Sequence, residues 1–123
     1  MTIQDNLNLI REGIGNACAR VNRDPAEVRI LGACKGQPME RIREAIEAGI
    51  DLLGENRFQE AETHQTALAD LELEWHFIGK LQKNKINRIL NRFHMVETVD
   101  GVKTMEHIHK RVDEVRDVFI ELN

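Results

Sequence analysis

Apolar residues recur every three or four positions at Ile3, Leu7, Ile10, Ile14, Cys18 and Val21. That spacing predicts an amphipathic helix of about five turns, with Thr2 able to cap its start. Asn22-Arg23-Asp24-Pro25 ends it. From Val28 the pattern changes to short apolar runs separated by helical periods. Strands are predicted at Val28–Cys34, Leu52-Leu53, Trp75–Ile78, Met95–Val99 and Val118–Leu122. Between them lie helices at about Met39–Ala48, Phe58–Leu68, Gln82–Asn91 and Val102–Val115. Pro38 suits the first position of the first of these, and Gly49 suits its C-terminal end.

Strands alternating with helices through short connections are the signature of parallel βα units. They predict an α/β fold, closed either as an open doubly wound sheet or as a (β/α)8 barrel. No G-x-G-x-x-G follows the first strand, which removes the best support for a dinucleotide-binding sheet. Polar residues collect at the strand tips: Lys35, Glu55 and Asn56, Asp100, and Asn123. His76 lies within the third strand. Ligand sites of parallel α/β folds sit at that end, although strands leaving the core also end polar for solubility alone. Lys35 stands out as a basic residue directly after a short apolar run, Ile30 to Ala33, and Cys34.

Composition narrows the reading without changing it. The chain of 123 residues fits one domain, residues 1–123, and its 41% hydrophobic content suffices for a core. A net charge of −4 argues against nucleic acid as a partner. No run approaches the roughly 18 apolar residues of a membrane span, and the first residues lack the pattern of a signal peptide. Two cysteines, Cys18 and Cys34, are too few for a disulfide framework, and a cytoplasmic setting is expected. His107 and His109 lie two apart on a helix and do not share a face, so no metal site is expected. The charge is uneven. Trp75 to Val96 carries Lys80, Lys83, Lys85, Arg88 and Arg92 with no acid, leaving −9 over the rest of the chain. Such a stretch either attracts a phosphate-bearing ligand or forms a solvated basic face.

Three segments then occur in a telling order: the lysine-ending strand with Pro38 three residues on, Gly54-Glu55-Asn56-(x)2-Gln59-Glu60, and Trp75-His76-Phe77-Ile78-Gly79-(x)-Leu81-Gln82-(x)-Asn84-Lys85. Together they resemble the pyridoxal-phosphate homeostasis protein family, whose barrel is shared with the N-terminal domain of alanine racemases. Glu121-Leu122-Asn123 resembles the family's fifth-strand ending. The resemblance covers the whole chain and the first part of the family's barrel. It implies a partial (β/α)8 TIM-type barrel of about five parallel strands, helices outside, with an extra N-terminal helix. Full barrels of this type run to about 250 residues, so the family's phosphate-holding segment and the arginine near the pyridine nitrogen are expected to lie outside these residues. Two positions depart from the family pattern: Cys34 replaces a common serine, and Gln37 a frequent lysine.

The resemblance implies pyridoxal 5′-phosphate as cofactor, Lys35 as the lysine that forms the internal aldimine, and Asn56 as a residue lining the cofactor pocket. It also implies a cytoplasmic role in cofactor homeostasis without established turnover. The residues support this chemistry, since burial at a strand tip favours the neutral, nucleophilic form of an amine. A snorkelling lysine is the structural alternative. Asn56 could instead cap the following helix. His76, sent by alternation to the face opposite Trp75 and Phe77, is either a satisfied core histidine or a third cofactor-binding residue. Cys34 should point away from Lys35. A Schiff-base lyase using Lys35, with Glu55 or Asp100 as acid and base, is the competing function, and a non-binding half-barrel assembly unit is a third. Five parallel strands cannot close, so self-association or a complementing chain at the open edges is expected.

Overall fold

The computed structural model describes residues 1–122, and Asn123 lies outside the described residues. The elements are α1 (Ile3–Arg20), β1 (Gly32–Ala33), α2 (Met39–Glu47), β2 (Leu52–Glu55), α3 (Phe58–Ala67), β3 (Glu74–Phe77), α4 (Ile86–Arg92), β4 (Met95–Val99), α5 (Val102–His109) and β5 (Val118–Ile120). The five strands form one parallel sheet in the order β1-β2-β3-β4-β5. A doubly wound sheet reverses its order at a switch point. This sheet advances one strand at a time in chain order, as a barrel does, and β1 and β5 are its open edges.

Helix α1 is set by local chemistry. The Asp5 N–H donates to Thr2 Oγ1 at 3.1 Å and the Thr2 N–H donates to Asp5 Oδ2 at 2.9 Å, a reciprocal capping box. At the other end Asn22 takes a left-handed conformation, φ 54°, and the Arg23 N–H returns to the Cys18 carbonyl at 2.9 Å. The predicted stripe is only partly buried: Leu7 and Cys18 are inside, whereas Ile10 and Val21 are exposed. The helix leans on α2 through Arg11 Nη2, which donates to the Ala48 carbonyl at 2.9 Å.

Several boundaries differ from expectation by a residue or two, and three differ more. The predicted strand Val28–Cys34 pairs only at Gly32–Ala33, with one further bond from the Cys34 N–H to the Gly54 carbonyl at 3.0 Å. Residues 28–31 make no ladder pairing with β2. The helix predicted from Gln82 opens instead with a 3-10 turn at Lys83–Lys85 before α4. The helix predicted to reach Val115 ends at His109, and Val115 is exposed. Arg116 Nη2 donates to the carbonyls of Leu90 and Phe93 at 3.0 and 2.6 Å, which draws the chain back to the end of α4 before a longer helix can form.

The core lies between the sheet and the helices. Leu53, Phe77, Val96 and Val99 project from the strands against Phe58, Ala61, Ile89, Phe93 and Ile108. Phe77 and Phe93 meet edge to face with centroids 5.3 Å apart. On the opposite sheet face, a Cβ at Gly54 would lie 2.5 Å from Leu31 Cδ2 and 2.9 Å from Ile78 Cδ1, so those two side chains close over the glycine. At the strand tips a Cβ at Gly79 would fall 2.0 Å from the Asn56 carbonyl oxygen. Gly79→Ala is therefore expected to cost about 2 kcal/mol or more through overpacking. By contrast Gly13, inside α1 with nothing within 4 Å of a Cβ, should gain about 0.5–1 kcal/mol as Gly13→Ala. Urea midpoints of the two variants, at unchanged slope, test both signs together.

Candidate functional site at the strand tips

The chain turns sharply after β1. The Gln37 N–H donates to the Cys34 carbonyl at 3.0 Å and Gly36 sits at φ +69°, the arrangement of a type II turn with Lys35 at its second position. The turn is tied to α3 by the Gly36 N–H, which donates to Glu60 Oε1 at 2.9 Å. Cys34 packs into the core, as alternation requires, and Lys35 is exposed. The burial expected at Lys35 is thus not provided by these residues. The apolar run places the amine at the tip, but the tip projects beyond the packed layer.

Asn56 follows β2 and is half-buried beneath Gly79. It does not cap α3, whose N-cap is Arg57 with no side-chain bond. Asn56 and Lys35 each stand two residues past the paired Ala33 and Gly54, so the two tips leave the sheet side by side. Asn56 lines a cleft of about 540 Å³ with Arg57, Gln59, Lys80, Gln82 and Lys85, over a floor of Phe77 and Ile89. Arg57, Lys80 and Lys85 make no ion pair among the described residues. Part of the basic stretch therefore faces the cleft. Lys35 and His76 are not among its lining residues.

His76 is buried one register step below, beside Gly54 on the barrel-facing side. Its Nε2 lies 2.7 Å from Glu74 Oε2, and since a carboxylate only accepts, Nε2 carries the proton. Arg29 Nη1 donates to the same carboxylate oxygen at 2.9 Å, and Glu97 lies 3.7 Å from Nδ1. This polar network occupies the sheet face, apart from the Asn56 cleft. The hydrogen bonds from His76 and Arg29 hold Glu74 below the usual carboxylate range.

Glu55 faces the helices, not Lys35. It is completely buried, and its Oε1 meets His64 Nδ1 of α3 at 2.5 Å. Burial pushes its carboxyl upward in pKa, against the opposing pull of His64. Burial, reinforced by the Glu55 charge, pushes the neighbouring Cys34 thiol up to about 12. As acid or base for Lys35, Glu55 is on the wrong side of the strand, and Asp100 is exposed and accepts from Thr104 Oγ1 at 3.1 Å. The lyase reading loses Glu55 as a partner for Lys35. The convergence of Cys34, Glu55 and His64 was not legible in the sequence, because the three residues lie on different elements and share no motif.

No protein-family model matches the chain. Curated relatives do. The pyridoxal phosphate homeostasis protein of Aquifex aeolicus is 39% identical over all of this chain and 55% of its own length. That of Pseudomonas aeruginosa is 40% identical over 89% of this chain and 48% of its own length, and that of Escherichia coli K12 38% over 82% and 44%. The chain is a homologue of the pyridoxal phosphate homeostasis proteins. It spans about half the length of these curated relatives. Among solved structures, an unknown protein from Bifidobacterium adolescentis superposes with a TM-score of 0.76 at 32% identity, over 89% of this chain and 49% of that one. PipY of Synechococcus elongatus, solved with PLP bound, gives 0.67 at 34% identity over 80% and 47%. The five-stranded sheet is accordingly part of an α/β barrel. The curated relatives are named for homeostasis rather than for a reaction. Among the described residues no helix is long and apolar enough to cross a membrane.

The depressed Glu74 carboxyl makes a signed prediction. Its contribution is complete above the unfolded value of about 4.3 and is lost as pH falls through the lower folded value. Glu74→Gln should flatten the acid limb of stability against pH. The effect is small because the carboxylate is partly exposed. Urea midpoints between neutral and strongly acid pH would show an unchanged limb if the network contributes nothing.

Proposed function

We propose that this chain binds pyridoxal 5′-phosphate in cytoplasmic cofactor homeostasis, holding the aldehyde reversibly on Lys35 without net turnover. One observation carries the reading: a primary amine, exposed on a glycine-containing turn at the C-terminal tip of β1, stands beside the tip that bears Asn56. The pyridoxal phosphate homeostasis relatives and PLP-bound PipY supply the ligand class.

The two tips offer partners for both chemical ends of the group, Lys35 for its aldehyde and the Asn56 cleft, which Lys35 does not line, for its phosphate. Its aldehyde accepts an amine: Nζ of Lys35 adds to the carbon, C=N forms and water leaves, and hydrolysis reverses the step. Asn56 can hydrogen-bond a ring oxygen without adding charge. The cleft, lined by Arg57, Lys80 and Lys85 against the one carboxylate of Glu60, favours a phosphate electrostatically. His76, bonded to Glu74, is assigned to the wall of the barrel below the ligand, where it orients without touching the aldehyde. An imine-forming lysine is usually activated by desolvation, and these residues leave Lys35 in solvent. Affinity with this half alone is therefore expected to be weak.

Open edges belong to the same reading. β5 exposes Phe119 and Ile120 at 54% and 65%, and the reading pairs this edge with a second copy or a complementing chain. Sedimentation at low concentration would remove that part if it showed a stable, well-folded monomer.

The function is tested by adding pyridoxal 5′-phosphate, reducing with borohydride and mapping the adduct by mass spectrometry. A stoichiometric adduct on Lys35, absent from Lys35→Ala, is expected. Labelling spread over Lys80, Lys83 and Lys85 with Lys35 unmodified would overturn the proposal.

A further inference from the structure

Beneath the Lys35 turn, on the helix side of the sheet, Cys34, Glu55 and His64 form a closed group. One ligand atom from each lies within 4.8 Å of the other two. All three residues are buried, at 2%, 0% and 6% exposure. They come from three elements: the end of β1, the end of β2 and the middle of α3. One carboxylate oxygen of Glu55 bonds His64, but the other, Oε2, is buried with no hydrogen-bond partner. A buried carboxylate oxygen without a partner is uncommon and costly.

We propose that Cys34, Glu55 and His64 bind one zinc ion, with Sγ, Nδ1 and both Glu55 oxygens as donors. Thiolate, imidazole and carboxylate are the donor types zinc selects. Charge also balances. Thiolate and carboxylate together supply two negative charges against the dication, so the core holds a neutral unit in place of a lone carboxyl. Coordination releases the Cys34 thiol proton and the proton held between His64 and Glu55, and both leave to solvent. The Glu55–His64 contact then opens to about 3.4 Å, the separation that metal–ligand distances of ~2.1 Å impose at a tetrahedral angle. The ion would fasten α3 to the tips of β1 and β2, directly below the residues that follow its ligands, Lys35 and Asn56. It stands on geometry independent of pyridoxal phosphate binding.

The test uses the full chain, freed of metal by chelator dialysis and titrated with cobalt(II) and zinc(II). Wild-type protein should show a thiolate-to-cobalt charge-transfer band saturating at one equivalent. Zinc should displace the cobalt and raise the unfolding temperature as a ligand of the native state does. Cys34→Ser and Glu55→Gln should weaken binding at least a hundredfold, while Cys18→Ser, outside the cluster, leaves it unchanged. Absence of the band and of any zinc-dependent shift in wild type would overturn the proposal and leave a hydrogen-bonded cluster only. So would a band that persists in Cys34→Ser. The wild-type titration decides the matter even if a variant fails to fold.

Discussion

The four residues of β2 are buried on both faces, and their alternation governs the rest of the molecule. Gly54 must carry no side chain, because Leu31, just before β1, and Ile78, just after β3, meet above it. Glu55 must then point the other way, into the helical layer, where only a polar partner makes it tolerable, and His64 is that partner. A strand this short leaves no freedom of register. Shifting it by one residue would bury a backbone where Leu31 packs and send a carboxylate toward the barrel side. The tips that bear Lys35 and Asn56 inherit their positions from this constraint.

Two polar systems flank β2 and differ in character. On the barrel side Arg29, Glu74, His76 and Glu97 form a partly solvated chain of charges, of the kind that contributes modestly to stability. On the helix side Cys34, Glu55 and His64 are sealed from water, where each unmet donor or acceptor carries its full desolvation penalty. The cations of the cleft are a third system: Arg57, Lys80 and Lys85 make no ion pair among the described residues, though Glu60 lines the same cleft. A charged group tolerates that state near solvent.

The sheet advances in chain order and ends at two open edges, which matches a chain similar to about half the length of its relatives. A barrel interior is normally filled from all eight strands. Here the barrel-facing side is closed locally by Leu31 and Ile78, while Ala33 and Lys35 remain exposed. The difference between a buried and a solvated amine is thus a property of what stands opposite β1.

Local pattern was enough to place α1 with its Thr2 cap, the alternation of strands and helices, the opposed directions of Cys34 and Lys35, and the polar strand tips. Each rests on neighbours within a few residues, through helical period, pleat and capping geometry. Boundaries set by other elements were not legible. β1 pairs with β2 over only two residues, and α5 stops early because Arg116 is held by carbonyls of Leu90 and Phe93. The exposure of Lys35, the pairing of His76 with Glu74, and the meeting of Cys34, Glu55 and His64 likewise belong to the tertiary structure alone. Their partners come from register between strands and from the seating of α3, which no stretch of the sequence contains by itself.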